Sequence, residues 1–267
     1  IIEEPFSPLD INGISQTISF GWHQPLVRTP TNEFALGLAL DLRESQTNLL
    51  GNIPFSFSTG PEDGRSKVTV IRFSQDWVNR NPTQILAARS QFSLGIGALN
   101  ATVNDSGTDG RFLSWLGQFQ YVQSLGPDSI LIARIAAQLA GNSLLPIEQF
   151  SIGGLDTVRG YRQNRLVGDN GVFGSIEARL PIVREPEGIG LIQIAPFFDI
   201  GTIWNHSGAA INPSTLASVG VGLRWQIGSV ATIRLDYGLP LNRTNQPGNS
   251  LEDNGFTFSV RVQALSF

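Results

Sequence analysis

At 267 residues and 28.9 kDa, the chain is long enough for one large β domain or two small ones. Charged residues are 15%, against ~25% in an average soluble domain, and no run reaches the ~18–20 apolar residues of a membrane helix. A net charge of −4 excludes a phosphate-neutralising stripe, and hence nucleic acid, while the lack of cysteine excludes disulfides, thiolate catalysis and zinc–cysteine sites.

Low charge without long apolar runs leaves room for a transmembrane β-barrel, whose lipid-facing and lumen-facing residues alternate and average out. The period-two pattern predicts about eleven strands, near 13–25, 33–44, 66–78, 84–99, 111–123, 129–141, 171–182, 189–204, 216–227, 230–241 and 254–267. In the second, Phe34, Leu36, Leu38, Leu40 and Leu42 oppose Ala35, Gly37, Ala39, Asp41 and Arg43. In the ninth, Val219, Val221, Leu223, Trp225 and Ile227 oppose Gly220, Gly222, Arg224 and Gln226. The tenth runs Ala231-Thr232-Ile233-Arg234-Leu235-Asp236-Tyr237-Gly238-Leu239, apolar at odd positions and polar or glycine at even ones.

Connections alternate in length. Short turns at 79–83, 125–128, 183–188 and 227–229 alternate with Gly/Asn/Asp/Ser/Pro-rich loops at 45–65, 100–110, 142–170, 205–215 and 242–253. That is the topology of an antiparallel outer-membrane barrel with its long loops outside, whereas a sandwich shows no such alternation. Trp22, Trp77, Trp115, Trp225 and Tyr237 fall on the outward faces, as an interfacial girdle requires.

The longest loop carries Gly153-Gly154-Leu155-Asp156-Thr157-Val158-Arg159-Gly160-Tyr161. A guanidinium cannot lose its charge, so Arg159 inside a lumen needs a carboxylate or several acceptors. On strand 189–204, Gln193, Ala195, Phe197, Asp199 and Gly201 share the mixed face, which places Phe197 and Asp199 inside with a gap at Gly201. Asp199 can take Arg159 in a two-pronged pair, and Glu177, on a polar face with Ser175 and Arg179, is a second candidate. The competing reading is an ordinary turn and a carboxylate meeting water.

His23 and His206 sit in no catalytic context, the run 104–110 lacks the terminal Glu of a calcium loop, and no Gly-rich phosphate loop opens a helix. The expectation is therefore no enzyme, no cofactor and no metal.

The V-R-G-Y run, the later Phe197-Phe198-Asp199-Ile200-Gly201 and the terminal Phe267 together resemble the Omp85 superfamily of outer-membrane β-barrels. The resemblance is close over the last 120 residues or so and rests on strand pattern before that. It implies an all-β, sixteen-stranded barrel whose long loop, between strands eleven and twelve, folds into the lumen and pairs its arginine with the wall. Five strands follow the loop here and six precede it. The chain opens on Ile1, with no initiating methionine and no signal peptide, and is thus expected to be the C-terminal part of the barrel domain over 1–267. The first barrel strands and the periplasmic polypeptide-transport (POTRA) domains would be absent, since eleven strands leave an open edge.

Within the superfamily, the run 150–161, followed by Asp169-Asn170-Gly171, and the run 234–241 look most like two-partner-secretion transporters of the haemolysin-activator type. That implies an unfolded secreted partner protein, outer-membrane lipid, and recognition of Phe267 by the barrel assembly machinery, in a Gram-negative-type bacterium. Phe256, Phe258, Val260 and Val262 share one face, but Phe267 has the opposite parity, which a bulge near Ala264 would reconcile. Three alternatives stay open: an assembly factor of the same superfamily that inserts other barrels, a passive porin, and a soluble or surface-attached β adhesin.

Overall fold

The computed structural model describes residues 11–51, 53–105, 107–185, 188–208, 210–242 and 250–263. Alternating side chains fold them into one antiparallel sheet of long strands. In chain order these are β1 (Asn12–Arg28), β2 (Asn32–Leu49), β4 (Arg65–Arg80), β5 (Gln84–Ile96), β6 (Phe112–Gly126) and β7 (Ser129–Ala140). After the long loop come β10 (Asn170–Glu185), β11 (Gly190–Trp204), β12 (Thr215–Ile227), β13 (Ala231–Pro240) and β14 (Phe256–Val262). A two-residue β3 (Ile53–Pro54) folds back on β2, and β8 (Phe150–Ile152) pairs with β9 (Leu166–Gly168) inside the long loop.

Each long strand pairs with its neighbours in sequence, and β7 pairs with β10 across the long loop. All eleven expected strands are present. Among the described residues no ladder joins β1 to β14, so the sheet is an open part of a barrel.

Several boundaries differ from expectation by three residues or more, among them the ends of β1, β2, β5, β6 and β10. β2 runs to Leu49, because Gln46, Thr47 and Asn48 stay laddered to β1, and polarity there marks a strand leaving the membrane rather than a loop. β5 stops at Ile96, and Leu99 and Asn100 just beyond adopt left-handed angles that end the ladder. The run 100–110 is also more than a solvated turn. Asn104 donates to the Gly60 and Thr108 carbonyls, and buried Asp109 holds Arg111.

The outward face is apolar and bare: Phe20 is 65%, Leu38 50% and Phe258 65% exposed, which suits lipid and not water. Trp22 and Tyr237 lie there. Trp77, Trp115 and Trp225 each tie their indole N–H down, to Asn32, Ser90 and the Ile189 carbonyl. Phe256, Phe258, Val260 and Val262 are all exposed on this face, whereas Phe267 lies outside the described residues. The opposite, inner face is polar and carries the long loop.

Candidate functional site: a loop latched to the inner wall

The long loop starts with a 3-10 turn at Pro146–Glu148, continues into the β8–β9 hairpin, and carries 158–161 at the hairpin tip. Ladder pairing of Phe150 with Gly168 and Ile152 with Leu166 makes the tip a rigid finger rather than a coil. Gly153 has φ of +108°, which a side chain would strain where the hairpin turns.

Of the four motif residues, Val158 and Tyr161 share one apolar cluster, while Arg159 and Gly160 meet other surroundings. Val158 is buried with Ile152, Leu166, Phe173, Ile203 and Leu216, an apolar seat contributing ~1.5–3 kcal/mol for a residue of its kind. Gly201 belongs to that seat. A Cβ there would stand 3.0 Å from Ile152 and 3.3 Å from Val158, so the gap in F-x-D-x-G accommodates the finger. Gly160, at φ +86°, lies against the backbone of Gly238, where a Cβ would fall 2.6 Å from the carbonyl oxygen. The Tyr161 hydroxyl lies 2.8 Å from the Ala217 carbonyl and 3.0 Å from that of Asn242.

Arg159 has no exposed surface. Its Nε donates to Asp199 Oδ2 at 2.7 Å, Nη2 to Asp199 Oδ1 at 2.9 Å, and the backbone N–H to Asp199 Oδ2 at 3.1 Å. Nη1 donates to Glu177 Oε2 and, at 3.4 Å, to Asp236 Oδ1. The guanidinium carbon sits 3.4 Å from the centroid of the Phe197 ring, whose edge lies close to Gly220. The structure therefore brings Arg159, Phe197, Asp199 and Glu177 into direct contact, with Gly201 one step away under Val158.

Sequence reasoning missed the rest of the cluster. Glu177 also accepts from Arg224 Nη2 at 2.9 Å and Arg179 Nε at 2.7 Å, and Asp236 from Arg224 Nη2 at 2.7 Å and Arg234 Nε at 2.6 Å. Ser175 Oγ donates to Asp199 at 2.6 Å. Arg159, Arg179, Arg224 and Arg234 thus surround three buried carboxylates, Glu177, Asp199 and Asp236, while solvent-exposed Asp156 stands 3.7 Å from Arg234. Parity already put Arg224 and Asp236 on the inner face. Their partnership follows from the β12–β13 register, which pairs Gly222 with Asp236 and Arg224 with Arg234.

The loop base has its own anchors, also unread from the sequence. Buried Glu148 takes Arg43 Nη1 at 2.6 Å and Arg72 Nη2 at 2.9 and 3.0 Å, tying the 3-10 turn to β2 and β4. Asp169 accepts from the Leu144 and His206 backbone N–H groups, both at 2.9 Å, and from the Gln149 amide at 3.0 Å. Outside the lumen, Arg162 forks onto Asp253 in the loop before β14, with Nη2 to Oδ2 at 2.6 Å. That bond, with further donors from Ser250, depresses the Asp253 carboxyl to about 2.

The arrangement is a network of arginines and carboxylates around a finger. Among the described residues no group of three metal-ligating side chains converges.

Comparison with known proteins bears on the fold. Residues 6–260 match the Omp85 superfamily domain. The outer membrane protein assembly factor BamA of Nitratidesulfovibrio vulgaris is 28% identical over 196 residues, covering 66% of this chain and 23% of that protein. CdiB from Escherichia coli superposes with a TM-score of 0.76 at 20% identity, over 94% of this chain and 45% of that one. CdiB from Acinetobacter baumannii gives 0.69 at 19% identity, over 94% and 42%. BamA from Haemophilus ducreyi lacking POTRA domains 1-3 gives 0.60 at 14%, over 94% and 55%. The chain spans about half the length of these solved structures or less, and at such identities they speak to fold alone. Matched along nearly its whole length, the chain belongs to the Omp85 superfamily of outer-membrane β-barrels.

Proposed function

We propose that this chain is the C-terminal part of a two-partner-secretion pore, which passes an unfolded partner protein across the outer membrane without bond chemistry. One observation carries the choice of branch. The two runs that resemble haemolysin-activator transporters, 150–161 and 234–241, touch each other: Gly160 lies on Gly238, and Arg234 Nη2 donates to the Leu155 carbonyl at 2.8 Å. The resemblance thus falls on one interface, that of the finger with the wall. On this reading, the missing strands and POTRA domains precede the chain, the partner enters from the periplasm, and the docked finger sets the width of the path.

A second reading is favoured by the 28% identity to an assembly factor: insertion of other β-barrels into the outer membrane. A passive porin has no use for an arginine-tipped finger braced on several strands. Depletion of the natural full-length protein separates these readings by quantitative proteomics. Loss of one secreted protein from the medium, with other outer-membrane barrels unchanged, is the expected result. A general fall in barrel proteins would overturn it in favour of the assembly factor.

A further inference from the structure

Around the docked loop, Arg43, Arg72, Arg159, Arg179, Arg224 and Arg234 each bond a carboxylate. Arg134 on β7 bonds none among the described residues. Its Nη2 reaches Ser175 Oγ at 3.5 Å, the limit of a hydrogen bond, and its guanidinium lies 5.9 Å from the Phe173 centroid.

Arg134 opens onto a cavity of about 560 Å³ between the inner wall and the finger. Two carboxylates border this space, and both are engaged: Asp76 lies 3.6 Å from Arg89, and Asp156 lies 3.7 Å from Arg234. The charge left over is that of Arg134. Asp199 and Glu177 act on it only from a distance, and Arg159 and Arg234 oppose them. Such a half-buried cation, bonding no carboxylate, leaves a positive potential in a concave, low-dielectric space and draws an anion there.

The rest of the lining says what kind of anion. Gln118 and Gln120 stand on the same wall, and Gln120 pairs directly with Arg134 in the β6–β7 ladder. Their amides donate and accept, as an extended peptide requires, while Phe150 and Phe173 add apolar surface. A small inorganic anion has no use for amides and rings, whereas a peptide carrying a carboxylate uses all three.

We infer that Arg134, with Gln118 and Gln120, forms a lumenal site for an aspartate or glutamate side chain of a polypeptide in transit. This rests on the translocation reading above. The guanidinium fork binds the carboxylate in bidentate fashion and the glutamines hold the flanking peptide groups, so acidic residues pause beside the finger.

The test uses the natural full-length protein in planar lipid bilayers. Two peptides are offered in a Gly-Ser-Thr background, one with a central glutamate and one with glutamine in its place. Blockade times are read from the current, and crossing from mass spectrometry of the far compartment. The glutamate peptide is expected to reside about tenfold longer than its counterpart in the wild type. The difference should vanish in Arg134→Gln and persist in weakened form in Arg134→Lys, which keeps the charge but not the fork, with heat-modifiable migration verifying that each barrel is folded. Equal residence of the two peptides in the wild type, or a difference that survives Arg134→Gln, overturns the inference while leaving translocation standing. If neither peptide crosses a barrel that conducts salt, the translocation reading fails and the inference falls with it.

Discussion

Arg159 and Asp199, 40 residues apart in the chain, are joined by three hydrogen bonds, two from the guanidinium and one from the arginine's own backbone N–H. The backbone bond means that Asp199 fixes the finger's main chain as well as its side chain. Removing the cation leaves Asp199 and Glu177 short of partners in a closed site. Arg159→Ala is therefore expected to destabilise the barrel by about 3 kcal/mol, measured by urea unfolding in detergent with tryptophan fluorescence. Arg159→Lys should recover little, because an ammonium cannot reproduce the planar fork.

The contact of Gly160 with Gly238 is backbone against backbone, with no room for a methyl group on either. Gly160→Ala meets both the Gly238 carbonyl at 2.6 Å and a left-handed φ, costing about 2 kcal/mol or more. Gly238→Ala, on the wall, meets the Gly160 nitrogen at 2.6 Å without the φ penalty. Both should undock the finger, seen as faster surface cleavage by trypsin after Arg162 and Arg165. Cleavage at the wild-type rate in Gly238→Ala would show that the contact is slack.

The strands were legible because lipid on one face and water or loop on the other force a strict alternation, and Asp199 and Glu177 were legible as inner-face carboxylates that the arginine of the V-R-G-Y run could meet. Glu148 and Asp169 were not. Glu148's partners, Arg43 and Arg72, lie 105 and 76 residues away, Asp169 binds mostly backbone groups that leave no mark in the side-chain pattern, and parity gives a residue's face but not its height in the barrel. The β8–β9 hairpin escaped for another reason: three-residue strands are too short to show a period. Arg224 and Asp236 fall between these cases, with the right face visible and the partnership set by hairpin register.

The fork from Arg162 to Asp253 gives the outer end of the loop a pH dependence. The folded carboxyl is depressed from 3.8 to about 2, so its stabilising contribution is complete above the unfolded value and is lost as pH falls through the folded one. Protection of the loop from an acid-active protease should weaken between pH 4 and pH 2. Asp253→Asn should show low protection throughout, with no step in that window.

Glu148 anchors the loop base independently of the tip. In Glu148→Gln, the charge-assisted bonds to Arg43 and Arg72 are lost at ~1.5–3 kcal/mol, which predicts amide exchange ~10–100-fold faster around the 3-10 turn. The Arg159 amide should stay protected. Simultaneous loss of protection at both places would mean that base and tip open as one unit.

The most direct measurement is secretion by cells whose natural full-length protein carries Arg159→Ala, with the barrel quantified in the outer membrane and the secreted partner in the medium. The latched finger predicts a folded, inserted barrel at near wild-type level and a fall in secretion of about tenfold or more, the scale expected when about 1.4 kcal/mol or more of docking is lost. Undiminished secretion by a correctly inserted Arg159→Ala barrel would contradict the claim that the latch sets the path.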